Sequence, residues 1–217
     1  MKAEMKERYN EYIEKFKATA PEDVQDKMKQ AIQELEHSSD GKGLSEGEKA
    51  PNFKLPDANG NSIELYKQLE EGPVILTFYR GGWCPYCNME LRAYQEILDD
   101  IHDSGGELIA ISPEEPDHSL STTEKNDLQF HVVSDVGNET ANQYNLVYQL
   151  PDYLVDVYKE KGLRVDEHNG DETWTLPVSA TYVIDQDGTI VYEYTKEDYK
   201  DRAEPSEVLE QLKKVRV

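Results

Sequence analysis

The chain has 217 residues, of which 31% are charged and 37% are hydrophobic, and its formal net charge is −22. This length suits one globular domain with some additions. The negative charge repels phosphate backbones and anionic lipid headgroups, which argues against nucleic acids and membranes as partners.

Nothing in the sequence predicts export. The segment Met1–Lys17 mixes lysine with glutamate and lacks the apolar core of a signal peptide. No apolar run reaches the length of a membrane span. The chain has two cysteines, close together, which is not the disulfide framework of a secreted domain. We therefore expect a cytoplasmic protein.

Residues 1–47 are predicted to form a helical extension and a linker, ahead of a domain over residues 48–217. Two amphipathic helices have apolar stripes formed by Met5, Tyr9, Ile13 and Phe16 and by Val24, Met28, Ile32 and Leu35. Pro21 opens the second helix, and the polar, glycine-containing segment 37–48 is typical of a linker. Because both stripes would otherwise face water, we expect them to pack on the domain or on a second subunit of a homodimer.

The domain is predicted to be α/β, with a central sheet flanked by helices. Strands are expected at 53–55, 62–65, 74–79, 108–111, 131–133, 181–184 and 189–194. Helices are expected from Pro85 through Leu98 and at 119–126, 139–144 and 205–214. The alternation of strands and helices indicates an α/β fold that ends in an antiparallel hairpin. Residues 152–175 fit no short loop and are interpreted as an insertion.

The chemistry is expected in the sequence Tyr-Arg-Gly-Gly-Trp-Cys-Pro-Tyr-Cys at residues 79–87. A buried strand leads through a glycine turn into a helix, and Cys84 and Cys87 fall in the first turn of that helix. Free backbone N–H groups and the helix dipole stabilise an anion there, so a thiolate is favoured. The spacing also lets the two sulfurs reach bonding distance, and Arg80 adds positive charge.

Two other interpretations of the cysteines are weaker. A structural zinc site needs four ligands, but the chain has no second Cys-x-x-Cys, and its histidines, His37, His102, His118, His131 and His168, are scattered singly. Two inert buried cysteines are disfavoured because a strand-to-helix turn is an unusual place to bury them. We therefore predict neither a metal nor a cofactor.

Several segments resemble the peroxiredoxins of the alkyl hydroperoxide reductase and thiol-specific antioxidant family, within the thioredoxin superfamily. The resemblance covers about Lys49–Leu212. It rests on Ala50–Leu55, Phe78–Tyr79, Glu90, Val133–Asp135 and Val183–Gly188. The Gly-Gly-Trp-Cys-Pro-Tyr-Cys sequence, followed by residues 169–174, is similar to the peroxiredoxin-like subgroup that carries Cys-x-x-Cys.

The resemblance implies a thioredoxin-like fold in which Cys87 is the peroxidatic cysteine and Cys84 resolves it as a disulfide. The supporting residues are Arg80, Trp83, Pro85 and Tyr86. The chain departs from the family pattern at three positions, because Cys84 replaces a threonine, Arg80 replaces a proline, and Ser179 replaces an arginine before the late strand. In addition, Ala180 stands where thioredoxins have a cis-proline. Arg80 or Arg202 could supply the missing cation.

The resulting hypothesis is a thiol peroxidase that reduces hydrogen peroxide or organic hydroperoxides. A thioredoxin-like protein or a low-molecular-weight thiol would be its reductant. One alternative is a thiol-disulfide oxidoreductase of thioredoxin or glutaredoxin type, in which Cys84 attacks first. A second alternative is a redox sensor without enzymatic activity, whose disulfide state changes a protein contact.

Overall fold

The computed structural model describes residues 5–215. Its helices are α1 (Met5–Thr19), α2 (Glu22–His37), α3 (Leu65–Glu71), α4 (Pro85–Gln95), α5 (Leu98–Asp103), α6 (Pro116–Asn126), α7 (Glu139–Gln143), α8 (Asp152–Glu160), α9 (Val165–Asn169) and α10 (Pro205–Lys214). Its strands are β1 (Lys54–Pro56), β2 (Ser62–Glu64), β3 (Val74–Phe78), β4 (Glu107–Ser112), β5 (His131–Ser134), β6 (Val147–Gln149), β7 (Thr175–Pro177), β8 (Ala180–Ile184) and β9 (Ile190–Thr195). No helix within these residues has both the length and the apolar composition of a membrane span.

A five-stranded sheet in the order β5-β4-β3-β8-β9 forms the centre of the molecule. Strands β3, β4 and β5 are parallel, and β8 is antiparallel to both β3 and β9. Every residue of β3 is buried, which explains its continuous run of apolar and β-branched residues. This arrangement confirms the predicted α/β, thioredoxin-like fold.

Both faces of the sheet are covered. Ile75 of β3 packs with residues of α4, α5 and α10 on one face. Its neighbours Val74 and Leu76 point to the opposite face, where residues of α3 and α7 pack. Because side chains alternate along a strand, one central strand supports two hydrophobic cores. After the carboxyl end of β3, the chain enters α4, which packs on the first of these two faces.

Both N-terminal helices pack against the rest of the chain, as expected for their apolar stripes. Met5 and Tyr9 of α1 are buried in the same core as α4. Val24 of α2 packs with residues of α8 and α9, within the predicted insertion. The helix expected over Met1–Lys17 is seen from Met5, and residues 1–4 lie outside the described part of the chain.

One expectation about local structure was wrong. The helix from Pro85 was expected to include Ile97 and Leu98, but Ile97 leaves the helical region at φ −119°, and α5 starts after it. The expected helix at 119–126 is confirmed and begins three residues earlier, at Pro116, which suits the first helical turn. The segment interpreted as an insertion, 152–175, forms α8 and α9 and ends at the first residue of β7.

Candidate active site

The loop between β3 and α4 is compressed against its surroundings. Gly81 has φ +149°, and a Cβ atom there would lie 2.3 Å from Nε1 of Trp83. A Cβ on Gly82 would lie 1.9 Å from Oγ1 of Thr122 in α6. Only glycine fits this close approach at both positions. The two glycines therefore let the chain turn sharply and present Cys84 at the start of α4.

Cys84 and Cys87 occupy the amino-terminal turn of α4. Cys84 is the N-cap residue, Pro85 takes the first helical turn, and Cys87 lies within the same turn. Pro85 has no N–H to leave unpaired at this position, which favours a helix start here. Both cysteines are free thiols, and they are only 1% and 0% exposed. The predicted pair is therefore brought together as a dithiol, and its burial shows that the expectation of accessible cysteines at this turn was wrong.

The two thiols ionise with different ease. Burial opposes ionisation of Cys84, but the Cys87 thiol as hydrogen-bond donor and the charges of Arg80 and Arg202 outweigh it, and the pKa of Cys84 is lowered from 9.0 to about 6. Burial raises the pKa of Cys87, and the adjacent Cys84 raises it further. One proton is thus shared unequally, with the thiolate on Cys84 and the thiol on Cys87.

Arg202 lies beside Cys87 and forms a buried ion pair. Its Nη2 lies 3.5 Å from the sulfur of Cys87, and its Nη1 bonds the carboxylate of Glu90. Glu90 is completely buried, and burial raises its pKa to about 7, although the charge of Arg202 opposes this shift. Arg202 was expected as one of two replacement cations, whereas Glu90 was noted only as part of the family resemblance. Its position three residues after Cys87, on the same helix face, was the available signal.

Arg80 lies on the Cys84 side of the site and is surrounded by aromatic rings. Its guanidinium carbon is 4.9 Å from the ring centre of Trp83 and 4.5 Å from that of Tyr199. Its Nη2 donates a 2.7 Å hydrogen bond to the hydroxyl of Tyr158 in α8. Arg80 is 3% exposed and has no carboxylate ion-pair partner among residues 5–215. Its charge lowers the pKa of Cys84 and is not neutralised by an acidic residue in that range.

A cavity of about 160 Å³ adjoins Cys84 but not Cys87. Arg80 and Tyr158 line one part of it, while Tyr12 and Phe16 of α1 line another. A larger groove of about 430 Å³ lies between α1 and α2, but it includes neither cysteine. The smaller cavity is therefore the relevant one for chemistry at the thiols.

Helix α1 covers Tyr86, which separates the two cysteines in sequence. The hydroxyl of Tyr9 donates a 2.8 Å hydrogen bond to the carbonyl oxygen of Tyr86. The rings of Tyr9 and Tyr12 meet the Tyr86 ring edge-on, with centres 5.5 and 5.3 Å away. Packing of α1 on the domain or on a second subunit was expected, but its position over the dithiol was not predicted. The contact joins Tyr9 and Tyr12 to Tyr86, which is about 75 positions away, and the helical periodicity of α1 does not identify such a distant partner.

The cysteines do not belong to a cluster of metal-binding side chains. Within residues 5–215, such clusters are confined to one group, Glu114, His118 and His168. The predicted supporting residues Arg80, Trp83, Pro85 and Tyr86 all line the cavity beside Cys84. This site can stabilise a thiolate, donate a proton from the neighbouring thiol and close a disulfide, which are the steps of thiol redox chemistry.

Comparison with known proteins agrees with this fold and identifies the family. The AhpC/TSA family profile matches residues 47–193. The chain is 29% identical over 154 residues to a chloroplastic peroxiredoxin Q of Oryza sativa subsp. japonica, covering 71% of this chain and 60% of that protein. It is 32% identical over 128 residues to the thiol-disulfide oxidoreductase ResA of Bacillus cereus (strain ATCC 10987 / NRS 248), covering 58% of this chain and 71% of that protein.

Solved structures show the same fold at lower sequence identity. Peroxidoxin BcpB from Mycobacterium tuberculosis superposes with a TM-score of 0.65 at 21% identity, covering 80% of this chain and 99% of that structure. A peroxiredoxin-like protein from Aquifex aeolicus superposes with a TM-score of 0.64 at 15% identity. The match covers 81% of this chain and 90% of that structure. The chain spans about 60% of the length of the peroxiredoxin Q relatives it matches. Because the family profile covers most of the chain, including both cysteines, this protein belongs to the AhpC/TSA family.

Proposed function

We propose that this protein is a thiol peroxidase that reduces hydrogen peroxide or organic hydroperoxides through Cys84 and Cys87. The observation that carries the proposal is a buried dithiol in an AhpC/TSA fold, in which one thiol is ionised near neutral pH. A thiolate is the nucleophile that peroxide reduction requires. The arginines near the two sulfurs are suited to stabilising the negative charge that develops on the peroxide oxygens.

The chemistry would proceed in three steps. A thiolate attacks the peroxide O–O bond, forming a sulfenic acid and releasing an alcohol or water once the leaving oxygen takes a proton. The second thiol then displaces the sulfenic hydroxyl as water and forms the Cys84–Cys87 disulfide. Two thiol equivalents from a thioredoxin-like protein or a low-molecular-weight thiol reduce that disulfide. No metal or cofactor takes part in these steps.

The order of attack is a separate part of the proposal. The family resemblance assigns the peroxidatic role to Cys87, and Arg202 beside Cys87 supports that assignment. The lowered pKa of Cys84 and its contact with the cavity support the reverse order. We propose that Cys84 attacks first and that Cys87 resolves, because a substrate in the cavity meets the thiolate of Cys84 directly.

The experiment follows peroxide consumption by stopped flow in the wild type, Cys84→Ser and Cys87→Ser, with sulfenic acid trapped by dimedone and located by peptide mass. We expect the adduct on Cys84 in Cys87→Ser and none on Cys87 in Cys84→Ser. An adduct only on Cys87 would instead support the order implied by the family resemblance. Absence of peroxide consumption by the folded wild type would refute the peroxidase proposal.

A thiol-disulfide oxidoreductase is the second candidate. The likeness to ResA and the low pKa of the first cysteine of the pair favour it. The burial of Cys84 at 1% exposure disfavours it, because a protein disulfide could not reach the sulfur without displacing α1. Reduction of insulin disulfides at a rate comparable with peroxide reduction would support a thiol-disulfide oxidoreductase instead of a peroxidase.

A further inference from the structure

Three potential metal ligands meet behind the loop that precedes Cys84. Glu114 follows β4, His118 lies in the first turn of α6, and His168 lies in α9. One ligand atom from each lies within 4.8 Å of the others. Two of the five histidines that are scattered singly along the sequence, His118 and His168, are thus brought together by the fold, through the insertion that carries His168.

The spacing within this cluster approaches that of a bound metal ion. Nδ1 of His168 lies 3.0 Å from Oε1 of Glu114, and the two imidazole rings have centres 4.3 Å apart. Zinc binds such ligands at about 2.0–2.1 Å, so tetrahedral ligand atoms lie roughly 3.3 Å from one another. The Glu114–His168 pair, at a hydrogen-bond distance of 3.0 Å, is close to this separation. A ligand nitrogen of the partly exposed His118 lies within 4.8 Å of both.

The carboxylate of Glu114 is held in place for such a role. Its side chain is 1% exposed, and Oε2 accepts a 2.8 Å hydrogen bond from the backbone N–H of Gly82. The carbonyl of His168 accepts a 2.9 Å hydrogen bond from the N–H of Glu115, which ties α9 to this segment. Outer hydrogen bonds of this kind orient metal ligands and raise their affinity.

The charge balance also favours a cation. Glu114 is a buried acidic group whose only ion-pair partner among residues 5–215 is His168. No lysine or arginine in that range neutralises it, and a buried carboxylate without a full counter-charge is unfavourable. His118 and His168 are both partly exposed, so an ion has access from solvent.

We propose that Glu114, His118 and His168 bind a divalent transition-metal ion of the zinc type. Two imidazoles and one carboxylate form a donor set that zinc accepts, with a water molecule completing the coordination. The site is separate from the dithiol, but it is linked to the dithiol loop through Gly82. Metal bound at Glu114 therefore stabilises the loop on which Cys84 is presented.

The test uses the full chain with both cysteines replaced, Cys84→Ser/Cys87→Ser, so that thiols cannot bind the metal. Zn²⁺ binding is measured by calorimetry and by the rise in melting temperature, and Co²⁺ binding by its visible absorption. We expect one equivalent of each ion, a higher melting temperature with Zn²⁺, and Co²⁺ bands without a thiolate charge-transfer band.

Single variants then assign the ligands. Glu114→Gln, His118→Gln and His168→Asn should each weaken Zn²⁺ binding by at least roughly tenfold. His102→Gln removes an exposed histidine that also contacts a glutamate, and it should bind Zn²⁺ as the parent does. Circular dichroism and melting temperature without metal verify that each variant is folded. Absence of stoichiometric binding in the folded parent, or binding unchanged in all three ligand variants, would overturn the proposal.

Discussion

Arg202 donates a hydrogen bond from Nη2 to the sulfur of Cys87 at 3.5 Å, although the two residues are 115 positions apart in sequence. The same guanidinium pairs through Nη1 with Glu90, which lies one turn after Cys87 on α4. The family resemblance implies an arginine before the late strand, where this chain has Ser179. Arg202, which lies in the segment after β9, remains one of the two predicted replacements for that cation.

Replacing Arg80 with methionine should raise the pKa of Cys84, since the substitution removes a nearby positive charge while largely keeping the volume. The comparison uses Cys87→Ser, which leaves one thiol. The pH midpoint for alkylation of Cys84 should be closer to 9.0 in Arg80→Met/Cys87→Ser than in Cys87→Ser alone. Arg92→Met is the matched control, because that guanidinium bonds Asn126 and should leave the midpoint unchanged. An unchanged midpoint in Arg80→Met would contradict the role given to Arg80.

Glu90 should make stability depend on pH. Its folded pKa of about 7 lies above its ordinary value of 4.5, so the folded state keeps a proton that the unfolded state loses as pH rises through this range. Its contribution is therefore fully present below pH 4.5 and is lost by about pH 7, on the order of 3 kcal/mol.

Urea denaturation of Glu90→Gln at several values between pH 4.5 and 7 checks this expectation, since the variant should show a flatter decline than the wild type. Glu210→Gln serves as the control, because that carboxylate is exposed and its pKa is lowered by Lys213. A decline of equal slope in the wild type and Glu90→Gln would show that Glu90 is already ionised in the folded protein.

Gly82→Ala should destabilise the protein by about 1–3 kcal/mol, because the new Cβ would meet Oγ1 of Thr122. Thr122→Ala removes that atom, so Gly82→Ala/Thr122→Ala should recover part of the loss. Chemical denaturation of all four proteins gives the coupling energy. Strictly additive effects would mean that the loop relaxes away from α6 instead of pressing against it.

Met5→Ala should cost about 2–5 kcal/mol of stability, since the Met5 side chain is 1% exposed in the core shared with α4. Exposed Glu11 on the same helix provides the control, and Glu11→Ala should change the free energy of unfolding by less than about 0.5 kcal/mol. Equal, small effects of both substitutions would show that α1 contributes little to the folded state.

The sequence predicted most of the central sheet and the position of the dithiol, because both depend on local signals. The apolar run of β3, the glycine pair and Pro85 each specify a conformation within a few residues. The hairpins at Asn59-Gly60 and Asp187-Gly188 were found for the same reason.

The contacts that shape the site could not be predicted in this way. Tyr158 reaches Arg80 from the insertion, and Tyr9 reaches Tyr86 from the N-terminal helix, so both depend on packing between distant segments. The difference in pKa between Cys84 and Cys87 likewise depends on Arg80 and Arg202, which are 122 positions apart in the sequence. Spacing within a motif cannot report such a difference.

The two arginines should also raise the reduction potential of the pair. In the dithiol form, Arg80 and Arg202 stabilise the negative charge on Cys84. A Cys84–Cys87 disulfide carries no such charge, so oxidation leaves the two buried cations with less compensation. Stabilising the reduced form makes a couple more oxidising. Equilibration with glutathione should therefore find the disulfide easily reduced, so that a weak cellular reductant suffices to return the protein to its starting state.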